Sequence, residues 1–112
     1  MVEINRLLVA NRGECARRIA DTVTKLGKTP IAVYSADDQN SLHVKEGREA
    51  YEISYPDIES IIRAAQKSGA DAIHPGWGFV SENPNLPKAC REAGLIFIGP
   101  SEMAMRQAGN KE

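Results

Sequence analysis

Short apolar runs of strand length alternate along this chain with longer stretches in which apolar residues recur every three or four positions. Arg6-Leu7-Leu8-Val9-Ala10 is nearly continuous in its apolar character, as a strand covered on both faces must be. A helical stripe of Cys15, Ile19, Val23 and Leu26 follows, with Arg17, Arg18, Asp21 and Lys25 largely on the opposite side and Gly27 as the stop. The pattern then repeats. Pro30 to Tyr34 reads as the second strand, Ser41 to Glu46 as a short helix, and Ala50 to Ile53 as a weak third strand. Ser54 with Asp57 resembles a capping box before Ile58, Ile61, Ile62 and Ala65, and Gly69 closes that helix. Ala72-Ile73 is a fourth strand. Leu86, Ala89, Cys90 and Ala93 form the next stripe, ended by Gly94, and Leu95 to Ile98 the fifth strand. Gly99-Pro100 turns the chain, and Ser101 caps a last short helix ending near Gly109. Alternation of this kind predicts an α/β fold, an open parallel sheet with helices on both faces joined by right-handed crossovers. With 112 residues and no linker or repeat, one domain over residues 1–112 is expected.

Composition narrows the function. Fourteen Lys and Arg against fifteen Asp and Glu give a net charge of −1, so no positive field draws the chain onto nucleic acid. No apolar run approaches the roughly 18 residues of a membrane span, and the first residues lack the pattern of a signal or transit peptide. A cytoplasmic protein is expected, or a mitochondrial one if the source is an organelle enzyme. Cys15 and Cys90 lie in separate apolar stripes with no C-x-x-C spacing, which reads as two buried thiols and no metal site.

In an open parallel sheet, ligands bind beyond the carboxyl ends of the strands. The sequence places Asn11-Arg12-Gly13-Glu14, Ser35 to Asp38, His74 to Gly78, and Gly99-Pro100-Ser101 there. Neither G-x-G-x-x-G nor the P-loop pattern is present, so Asp37, 24 positions after Gly13, carries little weight as a ribose ligand. His74 reads as a turn-stabilising residue before a general base. Arg12, Arg17 and Arg18 suit an anion, a partner surface or plain solvation equally well. Trp77, an indole between two glycines, suggests a cleft wall or an interface. On these grounds no reaction can be named and no catalytic residue assigned.

Three segments taken together are more specific. Leu8-Val9-Ala10-Asn11-Arg12-Gly13-Glu14 with Arg17-Arg18-Ile19 resembles the opening of biotin carboxylases. Ala72-Ile73-His74-Pro75-Gly76-Trp77-Gly78 running on to Asn83 resembles that family's second signature, and Phe97-Ile98-Gly99-Pro100 with Gly109 and Lys111 its third. The resemblance covers the whole chain in order. It implies the Rossmann-like, pre-ATP-grasp N-terminal domain of an ATP-grasp enzyme that uses ATP, magnesium and bicarbonate to carboxylate carrier-bound biotin. A carboxyltransferase then passes the carboxyl group to pyruvate or an acyl-CoA. Carried over by position, Lys111 would contact nucleotide phosphates, and Trp77 and Gly78 would form the loop near the biotin ring. Arg12, Glu14, Arg18 and Glu82 match polar positions at the strand edge or subunit interface and receive no chemistry. The metal-binding and catalytic groups of the family fall beyond residue 112. Partners would be the remainder of the biotin carboxylase, the biotin carrier and the carboxyltransferase, with a homodimer possible. The chain, a fragment on this reading, would bind no cofactor tightly and be inactive alone. Its alternative is a stand-alone nucleotide-binding or dimerisation module. The sequence departs from the family in a shortened connection after Ile53, in Asn110 for the usual aspartate, and in Trp77 for a common tyrosine. Trp77, with Pro84 to Pro87 and Ala104 to Arg106, leans toward an acyl-CoA carboxylase.

Overall fold

The computed structural model describes residues 4–11, 13–36, 49–54, 57–76 and 83–99. Five strands run through them: β1 (Arg6–Val9), β2 (Thr29–Tyr34), β3 (Ala50–Glu52), β4 (Ala72–His74) and β5 (Ile96–Phe97). Helices α1 (Gly13–Lys25), α2 (Ile58–Ser68) and α3 (Asn85–Glu92) lie between them. Every pairing is parallel, and the order is β3-β2-β1-β4-β5. The expected open parallel sheet is therefore the one found. The helix expected at 41–46 and the one after Ser101 lie outside the described residues.

The continuous apolar runs are explained by coverage of both sheet faces. Side chains alternate along a strand, so Leu8, Ile31, Val33 and Ile73 face one layer and Leu7, Val9 and Ala72 the other. The first set packs with Ile61, Ala64 and Ala65 of α2 and Leu86 and Cys90 of α3. Leu8, Ile31, Ile61, Ile73 and Leu86 are fully buried, each contributing about 1.5–3 kcal/mol of transfer free energy. Burial also pushes the Cys90 thiol up to about 11, so it remains protonated. Both thiols are free and buried, as expected. Among the described residues, the second set packs with α1, through Ala16 and Val23 with Ile19 partly buried.

Two local expectations are corrected. The helix predicted from Ser54 is capped by Asp57, whose carboxylate accepts from the Glu59 N–H at 3.1 Å. Asp57 stands one residue before the first helical turn, within reach of its unpaired amides. The Ser54 carbonyl instead accepts the Asp57 N–H and the Ser60 hydroxyl. On α1, Leu26 is not part of the buried stripe. The helix ends at Lys25, and Leu26 is 69% exposed, while Ala16 and Ala20 let the helix lie close to the sheet. Gly27, at φ +78°, takes the left-handed conformation expected of it. It donates to the Thr24 carbonyl while Lys28 donates to that of Val23, a Schellman closure.

Candidate functional site

A parallel sheet of this order reverses direction between β1 and β4, and the crevice for a ligand lies beyond their carboxyl ends. Chain entry into that crevice is tightly held. The Ala10 N–H donates to the His74 carbonyl at 2.8 Å, one step past the paired ends of the strands. Next to it the buried Asn11 side-chain amide donates to the Pro75 carbonyl at 2.7 Å. These two bonds lock the loop after β1 to the loop after β4, satisfying polar groups that burial would otherwise leave costly.

Gly76 completes the lock. A Cβ there would stand 2.5 Å from Asn11 Nδ2 and 2.6 Å from Cys15 Sγ, and the backbone is at φ +70°. Only glycine lets β4's loop approach this closely. The Gly76 N–H donates to His74 Nδ1 at 3.0 Å, so that nitrogen carries no proton. Burial holds the His74 imidazole below its ordinary pKa, in keeping with a neutral ring. The geometry is that of a turn-stabilising histidine.

Gly13 opens α1 at φ +69°, and a Cβ there would meet nothing within 4 Å. Glu14 follows in the first turn and pairs with Arg18 at 3.5 Å, both side chains largely solvated. Around the lock, Asn11, Cys15, His74 and Gly76 bring no carboxylate, lysine or arginine to this part of the carboxyl edge. Of the residues singled out from sequence, Trp77, Gly78 and Lys111, together with Arg12, Asp37 and Glu82, lie outside the described residues.

The opposite edge of the sheet carries a polar cluster that sequence reading missed. The Arg6 guanidinium donates to both Glu49 carboxylate oxygens at 2.7 and 2.8 Å and to the Ser68 carbonyl at 2.7 Å. Tyr51 O–H donates to the same carboxylate. These hydrogen bonds hold Glu49 below the ordinary carboxylate range and push Tyr51 up. The Asp71 carboxylate accepts the Arg6 and Asn5 backbone N–H groups, which lowers its pKa too. Partners separated by 43 to 66 positions leave no periodic signal to find. The cluster ties strand starts together and is far from the crevice.

A groove of about 560 Å³ lies beside α1, with Leu7, His74 and Ile98 on its sheet side. Its apolar lining includes Leu7, Ile19, Leu26 and Ile98, and Arg18 and Lys28 flank it.

Residues 3–105 match the protein family described as "Biotin carboxylase, N-terminal domain". The chain is 47% identical to the mitochondrial methylcrotonoyl-CoA carboxylase subunit alpha of Mus musculus, over 96% of this chain and 16% of that protein. It is 45% identical to a biotin carboxylase of Halalkalibacterium halodurans, over 95% of this chain and 25% of that one. Among solved structures, a complete pyruvate carboxylase from Rhizobium etli superposes with a TM-score of 0.91 at 41% identity, covering 96% of this chain and 12% of that one. The chain thus spans a quarter or less of the length of these relatives.

Proposed function

The chain belongs to the biotin carboxylase N-terminal domain family, and from that premise we propose that it forms one wall of the carboxylation site in a biotin-dependent carboxylase. The observation carrying this reading is the lock at the carboxyl edge. It sets Asn11 of the family's first signature against Pro75 and Gly76 of the second, at the switch point where an open sheet takes its ligand. Trp77 and Gly78 continue directly from that lock and are assigned to the face near the biotin ring. Lys111 is assigned to the nucleotide phosphates, as a positive charge on a long stem.

The described residues do not by themselves fit the magnesium nucleotide. Among them no three His, Cys, Asp or Glu come together as a metal-binding group. Metal ligands and acid–base groups are accordingly assigned to the remainder of the carboxylase, and the 112-residue chain is expected to be inactive alone. Carrier and carboxyltransferase would be its further partners. Relatives named for an acyl-CoA and for pyruvate match at comparable identity, so the acceptor does not follow from them. Among the described residues no helix is long and apolar enough to cross a membrane.

An NMR titration of the labelled chain with MgATP and MgADP tests the assignment. Weak, saturable shifts confined to Lys111 and the Gly76–Gly78 loop are expected, with no carboxylation of free biotin from labelled bicarbonate. Tight nucleotide binding would favour a self-sufficient nucleotide-binding module instead. Measurable carboxylation would overturn the claim of inactivity.

A further inference from the structure

We propose that His74 is a positioning residue for the carboxyl-edge wall, and that it holds the loop after β4 only while its ring is neutral. The proposal rests on the reading of that edge as one wall of the carboxylation site, and concerns what keeps the wall in shape. His74 is bonded through both its backbone and its ring. Its carbonyl accepts the Ala10 N–H at 2.8 Å, which ties it to the end of β1. Its Nδ1 accepts the Gly76 N–H at 3.0 Å, which folds the chain back two residues later. The second bond is the one an asparagine makes in an Asx-turn, where a side-chain atom on Cγ accepts from the N–H two positions on.

Gly76 cannot shift alone. Its backbone lies so close to Asn11 Nδ2 and Cys15 Sγ that a Cβ would stand 2.5 and 2.6 Å from them. That same Asn11 nitrogen donates to the Pro75 carbonyl at 2.7 Å. A turn of the Gly76 peptide away from the ring is therefore felt at Asn11, on the other side of the lock.

A proton on Nδ1 ends this arrangement. The imidazolium has two N–H donors and no acceptor, so the Gly76 N–H faces another donor and loses its partner. The surroundings favour the neutral ring. His74 is half-buried, and burial disfavours its charged form. Among the described residues, the groove that His74 lines brings two charged side chains, Arg18 of α1 and Lys28 before β2, and β1 and β5 present Leu7 and Ile98 there. Arg18 is paired with Glu14, and the titratable group against Gly76 is the Cys15 thiol. Neither cation compensates a positive ring.

Nitrogen–proton NMR of the 112-residue chain, titrated from about pH 8 to about pH 5 across the ordinary histidine range, tests this. In the unaltered chain the Gly76 amide and the Asn11 side-chain amide should shift together, with the midpoint at which the His74 ring itself titrates. His74→Asn keeps an acceptor on Cγ that does not titrate, so both signals should hold their high-pH positions throughout. His74→Leu fills the space without an acceptor, so the Gly76 amide should be displaced at every pH. His43→Gln should leave the titration as it was. Two His74 variants that behave alike would reduce the residue to a space-filler and overturn the proposal. So would Gly76 and Asn11 signals that ignore the His74 titration, or that lose it in His43→Gln. If His74→Leu does not fold, the unaltered chain against His74→Asn still decides. No nucleotide or biotin enters these measurements, so a failure here is separate from a failure of the carboxylase reading, which the nucleotide titration tests.

Discussion

On the α2/α3 face, the inward side chains of the sheet reach zero exposure and meet two helices that also pack on each other. On the α1 face, the same strands offer equally apolar side chains, but among the described residues one helix meets them, and Ile4, Ile19, Ile96 and Ile98 are partly buried. The difference lies in what the strands have been given to pack against. The lock at the carboxyl edge joins the loops after β1 and β4 and abuts Cys15 of α1.

The largest expected effect breaks the α2/α3 face. Leu86→Ala should lower the unfolding free energy by about 2–5 kcal/mol, read from the denaturation midpoint, because a fully buried site in a rigid layer cannot collapse around the lost atoms. Next comes the lock. Gly76→Ala should cost about 1–3 kcal/mol more than Gly13→Ala by the same measurement. Both carry positive φ, but only at Gly76 must Asn11 or Cys15 give way. Equal costs would mean the lock contributes nothing.

A pH series sharpens the same point more gently. His74 has a folded pKa below its ordinary value, so the unfolded chain takes up the proton first. Its contribution is therefore complete above about pH 6.5 and diminishes as pH falls below that. An imidazolium cannot accept from the Gly76 N–H, so Gly76 amide exchange, corrected for its intrinsic pH dependence, should quicken over that range. The smallest effect belongs to the α1 face: Leu26→Ala should change stability by no more than about 0.5 kcal/mol in the same melts.

What could be read from the residues follows the same division. Strands buried on both faces announce themselves, because Leu7 to Ala10 or Ile31 to Val33 have no polar side to show, and the alternation then dictates a parallel sheet. The carboxyl edge was legible in part: Asn11, Gly13, His74 and Gly76 were all placed there. The Asn11–Pro75 bond was not, since nothing local marks an amide whose partner lies 64 residues away. Leu26 is misread because periodicity does not mark where the helix stops, and α1 ends one residue before it. Ser54 and Asp57 are both good caps, and distance to the first helical turn decided between them.

The strand order has a consequence for how the molecule is made. β1 is synthesised first yet lies at the centre of the sheet, and its pairing with β4 joins residues 65 positions apart, as Val9 with His74. At ~5–20 residues per second, the ribosome delivers that second neighbour roughly 3–13 s after the strand itself. Through that interval the nascent chain carries its most apolar strand with one edge unpaired, and a chaperone that shields extended apolar segments would find its natural client there.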